Sequence, residues 1–490
     1  MSLIRERAVA IGLGVAVLTS CSGETPSSPS EVRAGLALAP AAGKVHLCHR
    51  PATDGRILAI DAVGLADHQA HGDYLSTLLV SHAAGRPADG AHFATISGAL
   101  AAARASRVAA GEALTGACRI TILVAPGTYQ GTTGTATGEL EQFPLMVDMP
   151  DVTLRGALEM ALDGAGRATG QGTGPDETLL APVEPLPFID GLSIPVIVAN
   201  AHPGGSAGNG LTVQGFVLQS GHDPAVDAGG QGVLALRTTR VTIRGNRFEG
   251  GFTESVDLRA GGADLFENHL AGTGGTCDLC LAGPGSFRAS GNVLLAGGIP
   301  GITLSPAVRL PVPPGVEQYA LPATAETWAD IRNNEVRDHL RTPVGVGLRV
   351  DAVGVGAPGV HGTTHAVMQD NLLADNRFGM IVHAAFPMAN TDRRGDVDVT
   401  LGGNVFQGSC QADLLVSFAR HTTGMGLDAN PRPYLLGSTF RLTLLGNVSW
   451  ADAWFSHPDG FGNTLVVDGQ VIANGSLNFY DAAGCPGNDA

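Results

Sequence analysis

Lysine is almost missing from this chain: Lys44 is the only one in 490 residues, so nearly all positive charge is arginine. Charge of either sign is thin, at 15% of residues, and the formal net charge is −16. That balance argues against nucleic acid and anionic membrane as partners and tolerates cations. Aromatics are scarce too. Three Trp and five Tyr are few for platforms on which sugar rings stack. The apolar run from Ala8 to Leu18 is too short to cross a bilayer. What the chain does have is 69 Gly and 44% hydrophobic residues, material for one long core and unlike a disordered chain.

The second half is organised by a recurring phrase. It reads VTIRGNRFEG from Val241, ADLFENHLAG from Ala263, FRASGNVLLAG from Phe287 and ADIRNNEVRD from Ala329. It returns as AVMQDNLLAD from Ala366, VTLGGNVFQG from Val399 and LTLLGNVSWA from Leu442. On one frame this places Asn246, Asn268, Asn292, Asn334, Asn371, Asn404 and Asn447 in line, with apolar or small residues three and five positions earlier. Such alternation is a short strand whose inward side chains fill a core. Gaps of 22 and 24 residues suit one coil of a parallel β-solenoid, and gaps of 42, 37, 33 and 43 suit coils with insertions. Asn suits the bend because it tolerates left-handed backbone angles and its amide can pair with the same position one coil away.

The N-terminal region reads as an address. Arg5 and Arg7 precede the apolar run, which ends Leu18-Thr19-Ser20-Cys21. This resembles the lipobox of bacterial lipoproteins. The resemblance implies a signal peptide over 1–20, lipid on Cys21 and a mature chain held on the membrane through that anchor. Ser22 after the cysteine points to the outer membrane or cell surface. Residues 21–43, Ser/Pro-rich at their start, are expected to be a flexible linker.

Residues 44–80 form a small Cys/His motif, with KVHLCHRP at Lys44 and DHQAHGD at Asp67. It resembles a motif of many secreted bacterial proteins in which C-H-x-P is followed by H-x-x-H-G-D and often a second Cys. That second Cys is absent here, which leaves Cys48 to pair elsewhere or to ligate a metal. Cys48, His49, His68 and His71, with Asp73 close by, are the candidate zinc ligands, although their spacing matches no standard finger. The alternative is that the histidines hold a turn by hydrogen bonds.

Residues 90–482 are assigned to the solenoid. FATISGALAAA over Phe93–Ala103 has helical spacing, RITILVAPGTYQG from Arg119 reads as a strand and turn, and FPLMVDMPDVTLRGA from Phe143 as two more strands. This order resembles the N-terminal coils of the pectate-lyase-like right-handed β-helix superfamily, in a subgroup of unassigned function. The resemblance implies an all-β, right-handed parallel β-helix with a short N-terminal capping helix, and it is nearly silent on the reaction. Insertions at Asp163–Gly174, Ser305–Glu326 and Ala419–Leu436, the last with His421, Asp428 and Arg432, can wall a groove.

Chemistry is expected on outward strand positions. In SVDLRAG, CDLCLAG, GLRVDAV and GMIVHAA the apolar residues turn inward, leaving Asp257, Arg259, Asp278, Arg349, Asp351 and His383 outside. On one face these groups could hold calcium through carboxylates, with Arg or His abstracting the proton beside a uronic acid's carboxylate. No local signature of known lyases is present. Gly204-Gly205-Ser206-Ala207-Gly208 matches G-x-S-x-G but lacks the strand–turn–helix setting a nucleophile needs. Cys277 and Cys280 in a continuous strand would lie about 10 Å apart on opposite faces, unless the segment turns sharply. Two functions follow: a cell-envelope lipoprotein that binds polysaccharide or another envelope component, or a lyase or hydrolase of an acidic polysaccharide.

Overall fold

The computed structural model describes residues 43–49, 55–82, 90–111, 118–132, 140–182, 195–200, 209–220, 229–272, 277–296, 300–308, 321–340, 345–354, 360–383, 394–418, 435–445, 453–456 and 462–472. Cys21 and the segment around it, Gly204–Gly208, His421, Asp428, Arg432 and Asn447 lie outside them. The described chain is a right-handed parallel β-helix. Each full coil gives three strands. The first precedes the recurring Asn, as in Val241–Arg244, Thr324–Arg332 and His361–Gln369. The second follows it, as in Arg247–Glu249, Glu335–Arg337 and Leu372–Ala374. The third closes the coil, as in Gly229–Leu236, Pro300–Ser305, Val346–Asp351 and Phe378–His383. Phe252–Phe266 and Cys277–Ser290 each run from a third strand into the next first strand. Like strands pair in parallel, and one apolar cluster extends through the coils from Leu78 to Leu465.

The aligned Asn residues form a buried ladder. Asn246, Asn268, Asn292, Asn334 and Asn371 each donate from backbone N and from Nδ2 to Oδ1 of the Asn one coil on, at 2.8–3.1 Å. The second Nδ2 proton goes back to a first-strand carbonyl of the preceding coil, Ile331 O for Asn371 at 2.8 Å. Every polar atom of the amide is therefore used, the condition under which a polar group can sit in a core. The left-handed angle falls one residue earlier than expected: Gly245, Glu267, Gly291, Asn333, Asp370 and Gly403 have φ of 51–68°, and the ladder Asn do not. Asn is present for its side chain, not for its tolerance of positive φ.

A helix, Ile96–Ala109, closes the N-terminal end and buries Ile96, Ala99, Leu100, Ala103 and Arg107. It extends the expected segment by six residues beyond Ala103. Thr95 accepts from Gly98 N, and the buried Glu141 carboxylate accepts from Ile96 N and Ser97 N at 2.7 Å each, meeting free donors and the positive end of the helix dipole. Ahead of it, Arg56–Asp61, Lys44–His49 and Tyr74–Leu75 make a small antiparallel sheet beside a helix over Leu65–Ala70. The next strand, Thr77–Val80, already pairs with Ile120–Val124, so the long sheet begins inside the segment assigned to the motif. Cys48 is bridged to Cys118, 70 residues on, which fastens the motif to the first coil.

Candidate functional site

Alternation identified the inward apolar residues of the third strands. Val256, Leu258, Leu279, Leu281, Leu348, Val350, Met380 and Val382 all lie in the central core. Asp257, Arg259, Arg349, Asp351 and His383 alternate with them and point outward, yet none faces solvent: Arg349 is 7% exposed and Asp351 0%. The reason is that this outer face has an apolar layer of its own. Val346, Phe378, Ile381, Ala412 and Leu415 form one cluster on it, and Val198, Leu234, Leu236 and Ala260 another.

The charges inside that layer are paired. Arg259 Nε donates to Asp257 Oδ2 at 2.9 Å, and its Nη2 reaches the same oxygen. Arg349 Nη2 donates to Asp351 Oδ2 at 3.0 Å. His383 Nε2 lies 2.9 Å from Asp351 Oδ1. Burial alone would raise the Asp351 pKa, but the Arg349 charge and the His383 ring outweigh it and hold the carboxyl below its ordinary 3.8. Burial dominates at His383 and, against the pull of Asp351, lowers its pKa below 6.5. In register Asp257 aligns with Cys280, Cys280 with Thr303, and Thr303 with Arg349. The two acid–arginine pairs are thus three strand spacings apart, about 14 Å. Asp257, Asp278 and Asp351 do not converge, and the calcium expectation rested on a grouping that the fold does not make.

Asp278 departs from the outward set because the strand bends there. Its row across the third stack is Gly232, Ser255, Asp278, Gly301, Gly347, Gly379 and Asp413. A Cβ at Gly301 would stand 2.3 Å from Val336 Cγ1, and one at Gly379 2.4 Å from Phe406 Cδ1, both core side chains of the second stack. This row therefore points into the corner between stacks. Asp278 Oδ2 meets His339 Nε2 there at 2.9 Å, with both side chains fully buried. The same bend settles the C-x-x-C pair. With residues 278 and 279 both turned inward, Cys277 and Cys280 share one side and are bridged, Cα atoms 5.7 Å apart.

The N-terminal motif gathers a different donor set from the expected one. Cys48 is committed to its disulfide, and His71 ends the short helix outside the cluster. His49 Nδ1 and His68 Nδ1 each lie 2.8 Å from one oxygen, Oδ2 of Asp73.

The open ionisable face is on the first stack, where the Asn frame marks it at four and six positions before each Asn. Asp264, Arg288 and Asp330 sit side by side in register. Arg288, 60% exposed, donates to both Asp264 oxygens at 2.6 and 2.7 Å, and that pairing raises its pKa. In the next row Ser286, Trp328, His365 and Asp398 align. Trp328 is 52% exposed and stacks on His365 with centroids 3.9 Å apart and planes 9° from parallel. The sequence reading missed these residues because it sought charge on the third strands, although its own frame held the signal. The expected groove-walling insertion at 163–174 is a hairpin, Met160–Leu162 with Ala168–Gly172, and it packs on the second stack instead, with Arg167 reaching Asn333 and Glu335.

No protein-family model and no curated protein matches the chain. Among solved structures it is similar to a rhamnogalacturonan lyase at 12% identity, covering 77% of this chain and 84% of that one, TM-score 0.41. It is also similar to an endo-xylogalacturonan hydrolase from Aspergillus tubingensis at 11%, covering 80% and 91%, TM-score 0.36. A third is the A-module of a mannuronan C-5 epimerase from Azotobacter vinelandii at 16%, covering 76% and 86%, TM-score 0.33. The likeness is one of fold.

Proposed function

We propose that this protein is a cell-envelope lipoprotein whose β-helix binds polysaccharide on the open face of its first strand stack. The observation that carries the reading is the Trp328–His365 stack. About half of a large apolar side chain is left in water on a strand, already braced against a second ring, while most large hydrophobics among the described residues are buried. A flat indole is the surface on which the C–H face of a pyranose packs, and holding it in place beforehand lowers the ordering cost of binding. Asp330 on the same strand, with Ser286, Arg288 and Asp398 on nearby strands, supplies donors and acceptors for hydroxyls around that ring. Strands about 4.8 Å apart set these groups in two rows along the solenoid, a layout that suits an extended chain ligand.

The alternative, a lyase or hydrolase, gains no support from Arg349, Asp351 and His383. They set a carboxylate beside an imidazole, but at 0–7% exposure they offer a sugar no surface. Titration calorimetry against acidic and neutral polysaccharides tests the proposal, with Trp328→Ala predicted to weaken binding at least tenfold while the fold persists. Equal affinity of wild type and Trp328→Ala for every ligand bound would remove its basis. Anchoring through Cys21 is tested apart: Cys21→Ala is expected to move the protein from the membrane pellet to the soluble fraction.

A further inference from the structure

The geometry points to a zinc site in the N-terminal motif, built from His49 Nδ1, His68 Nδ1 and Asp73 Oδ2; it does not depend on the polysaccharide reading. The three donor atoms lie within 4.8 Å of one another, the only such His/Cys/Asp/Glu group among the described residues. They arrive from three separate pieces of chain: the end of strand Lys44–His49, the helix Leu65–Ala70 and the turn before Tyr74. Each piece is fixed independently of the donors. Cys48 is tied to Cys118 and in register with Tyr74, and Asp73 N donates to His68 O at 3.1 Å. The rings meet edge to face at 78°, so both aim a nitrogen at one oxygen instead of stacking.

Two imidazoles and one carboxylate suit zinc, whereas calcium asks for six to eight oxygens. Tetrahedral zinc with bonds of about 2.0–2.1 Å places its ligands roughly 3.3 Å apart. The present 2.8 Å separations need only a slight opening to admit the ion. Three protein ligands leave a fourth position for water or a partner's group. The rings are each 31% exposed and the carboxylate 2%, so the ion has access from the histidine side. The competing account is a metal-free turn in which both Nδ1–H groups donate to Asp73. The two differ in protonation, since zinc requires both Nδ1 atoms bare.

The test is equilibrium dialysis of the full-length, disulfide-intact protein against zinc chloride, with bound metal counted by atomic emission. One zinc per chain and a raised Tm are expected, with His49→Gln and His68→Gln each weakening binding at least tenfold and His71→Gln leaving it unchanged. Wild type that retains no stoichiometric zinc overturns the site, and this needs no variant to fold. Zinc retained with full affinity by the His49→Gln/His68→Gln double variant overturns it equally, because the ion then lies elsewhere.

Discussion

Asp264, Arg288 and Asp330 on the first stack, and Asp257, Arg259, Arg349 and Asp351 on the third, occupy equivalent positions, each one residue out of phase with the same core. Their surroundings are opposite. Arg288 stands 60% exposed over Asp264, whereas Arg349 and Asp351 are enclosed in an apolar layer. Period-two alternation reports which side of a strand a residue takes and nothing about whether that side is wet. An ion pair in water is worth little, and one enclosed in apolar surroundings is costly to break, so the same residue types should behave differently on the two faces.

The sharpest contrast is between two arginines. Arg349→Met leaves Asp351 charged and enclosed and is predicted to cost about 3–5 kcal/mol. Arg288→Met removes a better-aligned pair at the surface and should cost less than about 1 kcal/mol. Denaturant melts of both give the comparison, which fails if the two shifts are alike. Between these extremes, Asn371→Leu strips Asn334 N, Asn334 Nδ2 and Ile331 O of their partner and should cost about 3 kcal/mol through orphaned groups. Thr400→Ala on the open face, in contrast, should scarcely move the melt.

A smaller effect concerns pH. The folded pKa of His383 lies below its ordinary 6.5, so the unfolded chain takes up the proton more readily. Its contribution is complete above about pH 6.5 and declines as pH falls toward the folded value. His269, lowered mainly by burial, acts in the same direction. Asp351 has the acid-side counterpart: lowered from 3.8, it stabilises above that pH and loses its contribution only as pH drops further through the folded value. Urea midpoints at pH 7.5 and 5.5 should therefore fall on acidification, less steeply in His383→Gln. An unchanged slope in that variant would mean that the third-stack face is wet after all.

The fold was legible because seven Asn phrases repeat a strand and a turn in frame, and physics gives such a repeat few other forms. The phase of each third strand was legible from Val256, Leu258, Leu348 and Val350. The turn of Asp278 into the corner between stacks was not, because the partner it meets there, His339, lies 61 residues along the chain. That single bend both misdirected Asp278 and hid the Cys277–Cys280 bridge. The enclosure of Arg349 and Asp351 was equally hidden, since Ile381 and Leu415 read locally as ordinary strand residues. The partner of Cys48 lay 70 residues away with nothing in the local motif to announce it.

Carboxyl footprinting with and without bound polysaccharide tests the contrast between faces and the proposed binding face together. Labelling is predicted at Asp264, Asp330 and Asp398 in the free protein, with negligible labelling at Asp257 and Asp351, and the ligand should protect only the first three. Rapid labelling of Asp257 and Asp351, or ligand protection there instead, would contradict the account.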